Sequence, residues 1–593
     1  MNFWNRNSLA VVLIVLMLSA GNTLDAQDFY WIKQIGGPDH DASYTIVLDD
    51  AANIYVCGTF AGTVVFGAGE VLTSVADPVG DPFAVPPNNN YDMFLAKYDR
   101  QGELLWVKQA GGPGGRVVGL GVDLDVSGNI LVAGSFSATV TFEPGEDLTS
   151  LGSLDTFLAK YDNDGNLMWV REAGGPDYNY TQGVGVDGSG GSCIGGFFVD
   201  SMRFGPTDIL DATDRGDEIF LAKYDSNGQF LWARSIGDTG RDAGYDVTAD
   251  EAGNCYVSGE ISGTVTVDSG GPNETTLVAS DATDVFVAKY DSSGVLQWAK
   301  IAVGMTVAGM SCPRELGRRL SVDPSGNVHM AGYFCSSPAI FGFGEVNETP
   351  LDSAGDLDIF VARYDANGHL LWAKRAGGPG RDQGVDVAWD KLGNTYLTGR
   401  FDDEAVFGPG DPNETTLYLA DSSGLYDIFT AKYNSAGELL WVRGAGGAAD
   451  DHGGGLDVDY LGDVYVTGSF ASIDAVFGNV ATLVTTGGVE GIYDSFLATV
   501  ESTALEKIDF LINEVRLLEA SGAINSGQAN WLVRTLGWSR GALERGWDIV
   551  SIIFLRIFAA QVTNYVGTGV LLPAEAQPLL NAVDIIVEQI NRT

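Results

Sequence analysis

The stretch DMFLAKYDRQGELLW, from Asp92 to Trp106, decides the fold because it returns along most of the chain. Its copies begin at Asp92, Asp155, Asp217, Asp284, Asp358, Asp427 and Asp494, with Glu218 preceding an isoleucine in the third and Thr499 ending the last. The closing tryptophan recurs as Trp31, Trp106, Trp169, Trp232, Trp298, Trp372 and Trp441. Ahead of each copy stands an Asp-x-x-Gly-Asn-like turn, opened by Asp49, Asp125, Asp187, Asp250, Asp323, Asp390 or Asp459, and a strand-like run reaching a glycine such as Gly58 or Gly399. Self-similarity of this kind is the mark of a repeat architecture.

One unit resolves into four short strands by its period of two, at 384–389, 394–401, 427–433 and 439–444. Asp-x-x-Gly turns join the first pair and the last pair, the aspartate capping backbone amides and the glycine taking positive φ. Four antiparallel strands make one propeller blade, and seven units make a ring. The phase puts the tryptophan strand last in each blade. The run from Trp31 to Ile35 therefore lacks three strands before it, and the set from Gly455 to Val500 lacks a fourth after it. The two ends complete one blade, which removes a free sheet edge. The expected fold is mainly β, a seven-bladed β-propeller over 27–500 closed by the N-terminal strand, followed by a small all-α helical-hairpin module over 501–593.

The motif Gly-Asn-x-Tyr-Val-x-Gly-x-Phe, followed by Asp-x-Phe-Leu-Ala-Lys-Tyr-Asp-x-x-Gly-x-Leu-Leu-Trp, resembles the bacterial SBBP-type β-propeller repeat. That resemblance implies a secreted or surface propeller and no particular reaction. Past Val500, Leu505, Ile508, Leu511, Ile512, Val515 and Leu518 recur at helical spacing. Asn525 and Ser526 offer a cap for a helix through Leu536, Trp547 to Val566 is a long apolar segment, and Pro573 suits the first turn of a last helix ending near Ile590. The phrase from Ser521 to Ala529 is echoed from Gly567 to Ala576, so the module reads as a duplicated helical hairpin. It resembles the FIMAH-like domain at the C-terminus of secreted bacterial hydrolases and adhesins. Its apolar segment is either buried in the bundle or a docking face.

Composition narrows the partners. The 33 basic and 78 acidic residues give a net charge of −45, which repels phosphate backbones and excludes nucleic acid as a natural partner. Glycine, at 79 of 593 residues, is about twice its usual ~7% share and marks a turn-rich globular protein. The N-terminus reads as a secretory signal over 1–26: Arg6, an apolar run from Leu9 to Leu18, and Leu24 and Ala26 before the expected cut. That run is too short for a ~30 Å hydrocarbon layer, so no transmembrane span is expected after cleavage, and the expected location is secreted or at a bacterial cell surface. Of five cysteines, Cys312 and Cys335 share one unit with an inserted loop and are the disulfide candidate. Cys57, Cys193 and Cys255 sit in strand-like contexts typical of buried thiols.

The chemistry is expected on the face where the loops after each tryptophan strand emerge beside those between the second and third strands. There Asp41, Asp242, Asp382 and Asp451 occupy one equivalent position, with Asn179 in another unit and Arg116 departing from the pattern. A ring of carboxylates suits calcium, and two acids with divergent protonation would suit a carbohydrate-active hydrolase or lyase. Aspartate beside glycine also caps local amides. His40 and His452 lie in corresponding loops of units made neighbours by ring closure, and read as solvated. The tryptophans read as packing between blades rather than sugar platforms. Asn273-Glu-Thr, Asn347-Glu-Thr and Asn413-Glu-Thr match the N-glycosylation pattern but read as repeat ancestry. No catalytic residue is assigned. The functional expectation is a monomeric, non-enzymatic recognition or adhesion protein presenting acidic loops to an extracellular protein or glycan, with possible calcium and, as the alternative, the hydrolase or lyase.

Overall fold

Each Asp-x-x-Gly stretch forms the turn its chemistry demands. In the turn after Asp162, one carboxylate oxygen accepts from the amides of Asp164 at 3.0 Å and Asn166 at 2.8 Å, and Gly165 takes φ 79°. The hairpins so nucleated assemble, in the computed structural model of this chain, into seven antiparallel four-stranded blades and four helices. The structure describes residues 29–592 except 68, 76–90, 206, 213–215, 239, 281, 305–314, 422–424 and 487–491. The expected signal segment over 1–26 and Cys312 lie outside the described residues.

Blade 1 runs Asp41–Leu48, Ile54–Phe60, Asp92–Tyr98 and Leu104–Ala110, strands a to d from the channel outward. Blade 7 takes Asp451–Val458, Val464–Phe470 and Asp494–Val500 from the end of the ring, and its strand d is Phe29–Ile35 from the start of the chain. Trp31 stands opposite Thr499 and Ile35 opposite Ser495, so the ring closes as its sequence phase required. In the third blade the strand begins at Glu218 rather than Asp217, with Glu218 opposite Phe198.

Between strands b and c every blade carries an extra two-stranded hairpin, as in Thr63–Val65 with Val71–Thr73, where only a variable loop was expected. These strands are three to five residues long and alternate weakly, which hid them. Their task is lateral. The hairpin pairs with the end of strand d of the preceding blade, through Gly36 with Val65, Gly111 with Thr141, Gly174 with Arg203, Gly377 with Val406, Val303 with Ile340 and Ala445 with Phe477. At the opposite face the tryptophans do the same work. Trp106, Trp232, Trp298 and Trp372 each donate their indole N–H to a carbonyl in the next blade's c–d turn, at 3.0–3.2 Å. The packing assignment of the tryptophans thus holds.

Cysteine usage departs from expectation. Cys193 and Cys255, on strands b of blades 3 and 4, form a disulfide with Cα atoms 6.0 Å apart, while Cys57 is a buried free thiol. The two strands sit side by side only because the ring curves, a relation invisible along the chain. Cys335 is disulfide-bonded. We expect Cys193→Ser with Cys255→Ser to lower unfolding stability by about 2–4 kcal/mol in non-reducing buffer. The gap should vanish when the parent protein is measured with reductant, and denaturant titrations of both proteins with and without it check this.

The C-terminal helices are α1 (Ala504–Ala520), α2 (Ser526–Leu543), α3 (Asp548–Gly567) and α4 (Pro573–Arg592). Capping boxes open the first two, Thr503 with Glu506 and Asn525 with Gln528. α2 runs beyond Leu536, through two glycines, because Leu536, Ser539, Ala542 and Leu543 are buried. The bundle core includes Leu461 from a propeller turn, and Lys507 of α1 is buried between Asp463 at 3.1 Å and Glu501 at 3.0 Å. The module therefore sits against the a–b turn of blade 7. α3 is long and apolar enough to cross a membrane by length and composition, and most of its surface is not buried in the bundle. Only one side of it enters the bundle: Leu555, Phe558 and Val562 are buried, while Ile549, Ile553 and Ile557 form an exposed stripe.

Candidate functional site

Strand a begins on the face where the hairpins lie, and the residue at its start or just before it is the position singled out in the sequence. Asp41, Asp242, Asp382 and Asp451 are each 0% exposed. Asp242 accepts from the amides of Asp238 at 2.8 Å and Ser262 at 2.7 Å. Asp382 accepts from Gly378 at 2.7 Å and Asp402 at 3.0 Å, and Asp451 from Ala471 at 3.0 Å and the Ser472 hydroxyl at 2.8 Å. Asn179 fills the place in blade 3 and Glu315 in blade 5, where it accepts from the Ser336 amide at 2.7 Å. In blade 2 the equivalent is Val117, not Arg116, because its amide bonds Tyr91 as that of Asp41 bonds Tyr493.

Each of these acids faces the acid that opens strand c of the preceding blade: Asp41 feels Asp494, Asp242 feels Glu218, Asp382 feels Asp358 and Asp451 feels Asp427. The partner acid lies where a side chain would otherwise go; a Cβ on Gly174 would stand 2.1 Å from Asp155 Cγ. Burial, helped by the neighbouring charge, pushes Asp242 up to about 6, Asp451 to about 7 and Asp382 to about 8. The structure thus disperses the four aspartates among separate blade junctions, with Asp242, Asp382 and Asp451 tied to amides, instead of gathering them at one place. Among the described residues no group of three or more metal-ligating side chains stands together.

The centre of that face is different. Every strand a carries a β-bulge at its third, fourth or fifth residue, adding Tyr44, Leu120, Gln182, Tyr245, Arg318, Val385 and, in blade 7, one of Gly454 and Gly455. A bulge re-aims a side chain, and the residue at this position varies from blade to blade. Just below it Arg319 spans the channel. Its guanidinium donates to Asp246 Oδ1 at 3.0 Å in blade 4, to the Gln182 carbonyl at 3.3 Å in blade 3 and to the Leu120 carbonyl at 3.0 Å in blade 2. It forms a floor to the mouth above it.

Along one wall of the mouth the rings of His40, Tyr493, His452 and Tyr426 follow one another at centroid separations of 5.7, 5.6 and 5.8 Å. Arg400 lies 4.3 Å above the Tyr426 ring, bonds Gln383 Oε1 at 2.8 Å and meets His452 Nδ1 at 2.5 Å. The histidine pair noted in the sequence is thus brought together, with Tyr493 between them. His452 is not a solvated loop residue: burial and the charges of Arg400 and Arg318 hold its pKa well below the usual range, so it is neutral.

Arg318, Arg319, Arg400 and Tyr493 escaped the sequence reading. Arginine in an inner strand looked like noise within a repeat, and only a comparison of bulge positions across units would have raised it. The Asn-Glu-Thr triplets are explained locally. Asn273, Asn347 and Asn413 each donate a side-chain amide to a backbone carbonyl at 2.6–3.1 Å, and Glu274, Glu348 and Glu414 accept from glycine amides at 2.6–2.7 Å.

Fold and site together define a seven-bladed β-propeller with a four-helix C-terminal unit and a solvent-facing, arginine- and aromatic-lined channel mouth. No family model matches the chain. It is 25% identical over 426 residues to an uncharacterized WD repeat-containing protein of Acanthamoeba polyphaga mimivirus, covering 60% of this chain and 30% of that protein. It is likewise 25% identical over 412 residues to the regulatory protein FlaEY of Caulobacter vibrioides, covering 66% and 41%. The chain thus spans less than half the length of these curated relatives. Among solved structures, a Synechocystis apocarotenoid oxygenase aligns with 80% of this chain and 92% of its own at 9% identity and a TM-score of 0.33. A lignostilbene dioxygenase of Pseudomonas brassicacearum covers 70% and 91% at 12% identity and a TM-score of 0.27.

Proposed function

We propose that this protein is an exported, non-enzymatic recognition or adhesion module that seats an extracellular protein or glycan ligand at the channel mouth. The observation that carries the reading is the bulge ring. Seven units built to one pattern place varied side chains there, Tyr44, Gln182 and Arg318 among them, above a floor closed by Arg319. A rigid ring with individual side chains at its centre suits binding, and pre-organised side chains lose little entropy when a ligand arrives. The Cys193–Cys255 disulfide supports an oxidising location. The face-forming acids serve the blade junctions in this reading. Their full burial leaves no substrate access, which disfavours the hydrolase or lyase alternative.

Co-sedimentation of the protein with insoluble polysaccharides and cell-wall material, with calcium or with chelator, tests this. The expected result is pelleted protein, at least tenfold less pelleting for Tyr493→Ala with Tyr426→Ala, and no newly released sugar ends. Protein that stays in the supernatant with every material sinks the recognition reading, and new sugar ends would establish the enzyme instead.

A further inference from the structure

We infer that the channel mouth is an oxyanion site, built to hold the carboxylate of an acidic glycan between Arg318 and Arg400. The inference rests on the recognition reading above and names its ligand chemistry. Arg318 sits at the bulge of blade 5, half-buried, and among the described residues its guanidinium makes no hydrogen bond or ion pair. Its electrostatic neighbours lie on both sides of it: Tyr180 of blade 3, Tyr333 and Arg319 of its own blade, Asp386 and Arg400 of blade 6 and His452 of blade 7. Asp386 spends its oxygens on the amides of Val387 and Leu456 and makes no ion pair with Arg318. It therefore points into the mouth rather than along its own strand.

Arg400 has partners, but none is an anion. Gln383 is neutral, His452 is held neutral, and Tyr426 offers a ring face. Arg116, at the start of strand a in blade 2, has a buried Nε with no partner and acts on Tyr180 from the other side. Elsewhere the chain neutralises its buried cations carefully: Lys160 with Asp125 at 2.8 Å, Lys223 with Asp187 at 2.5 Å, Arg363 with Asp323 at 3.0 Å, and Arg319 with Asp246. In a chain carrying 78 acidic side chains, two neighbouring guanidinium groups that make no direct ion pair with a carboxylate among the described residues are an exception. Like charges held together in a half-dry mouth repel unless an anion joins them, and a carboxylate fits the planar fork of arginine with two parallel hydrogen bonds. The aromatic wall from His40 to Tyr426 supplies the faces on which sugar rings rest.

Calorimetric titration of the full chain distinguishes the possibilities, with three probes: tri-galacturonate, its fully methyl-esterified and therefore neutral form, and inorganic phosphate. Binding of the acid, with the ester at least tenfold weaker, is the expected result. Arg318→Met should abolish that preference, while Arg318→Lys, which keeps the charge but not the fork, should keep part of it. Melting curves and phosphate titrations of both variants confirm that a loss is local. Phosphate binding that depends on Arg318, without any binding of the sugar acid, would support the oxyanion chemistry and replace the glycan by a free anion. Equal binding of acid and ester, unaffected by Arg318→Met, would overturn the oxyanion site while leaving recognition at the mouth intact. Binding of none of the three probes overturns it too, and the sedimentation result then decides the broader reading separately.

Discussion

The folded chain is expected to be more stable at pH 5 than at pH 8. Burial raises Asp382 to about 8, Asp451, Glu315, Asp386 and Asp457 to about 7, and Asp242 and Asp123 to about 6. Unfolded, these groups titrate near pH 4. Between the two values the folded state holds more protons, so the stability they contribute is complete below about pH 4 and is lost as pH rises through 6 to 8. Two histidines run the other way. His329 and His452 are depressed by burial, so they weaken the fold as pH falls through about 6.5, but they are two against seven. Asp125, Asp187 and Asp323, lowered by their cationic or hydrogen-bonding partners, add stability lost only below pH 4.

A single carboxyl displaced by two units or more is worth about 3 kcal/mol across that range. We therefore expect a melting temperature at least about 5 °C higher at pH 5 than at pH 8. Scanning calorimetry at fixed ionic strength measures it. A midpoint that is flat or higher at pH 8 would refute the protonated state of these junctions. Raised salt should narrow the difference by screening the −45 charge, which works in the same direction.

Replacing Arg319 by methionine should cost about 3–5 kcal/mol, because it removes one half of a buried ion pair. The guanidinium and Asp246 are 14% and 9% exposed, and the same group ties the carbonyls of Leu120 and Gln182 across the ring. Asp246 also accepts from the Leu320 amide at 2.9 Å, so the carboxylate cannot turn out to water without breaking a contact between blades. Losing the arginine raises its pKa further, and the penalty should grow from pH 5 to pH 8. The double change Arg319→Met with Asp246→Leu should recover part of the loss, since no unpaired charge is left behind. Urea unfolding of the three proteins at both pH values is the measurement. A single variant within about 0.5 kcal/mol of the parent would show that the floor of the mouth is dispensable.

The ring was legible because its determinants are local and repeated. Asp-x-x-Gly turns, strands of period two and a tryptophan at fixed phase each act within one hairpin, and seven copies reinforce the pattern. The same logic located Asp41, Asp242, Asp382 and Asp451 at one structural position. It did not show what they touch, since their partners Asp494, Glu218, Asp358 and Asp427 belong to the preceding blade. The mouth was hidden for a related reason. Arg318 meets Tyr180 and His452 only once the ring has closed, and the bulge that turns it inward leaves no trace in apolar alternation. Cys193 and Cys255 likewise meet through curvature, 62 residues apart in sequence.

The pairing of Phe29–Ile35 with Asp494–Val500 also imposes an order on the birth of the molecule. The strand Phe29–Ile35 is made before the rest of the ring yet joins its last blade, so it must wait while nearly the whole ring is synthesised. At about 5–20 residues per second that wait is roughly half a minute to a minute and a half. For all that time an apolar strand carrying Trp31 and Ile35 has no partner within its own blade, and the seventh blade exists only as a promise at the far end of the message. A helper that shields this strand during synthesis would raise the yield of closed rings without altering the finished protein.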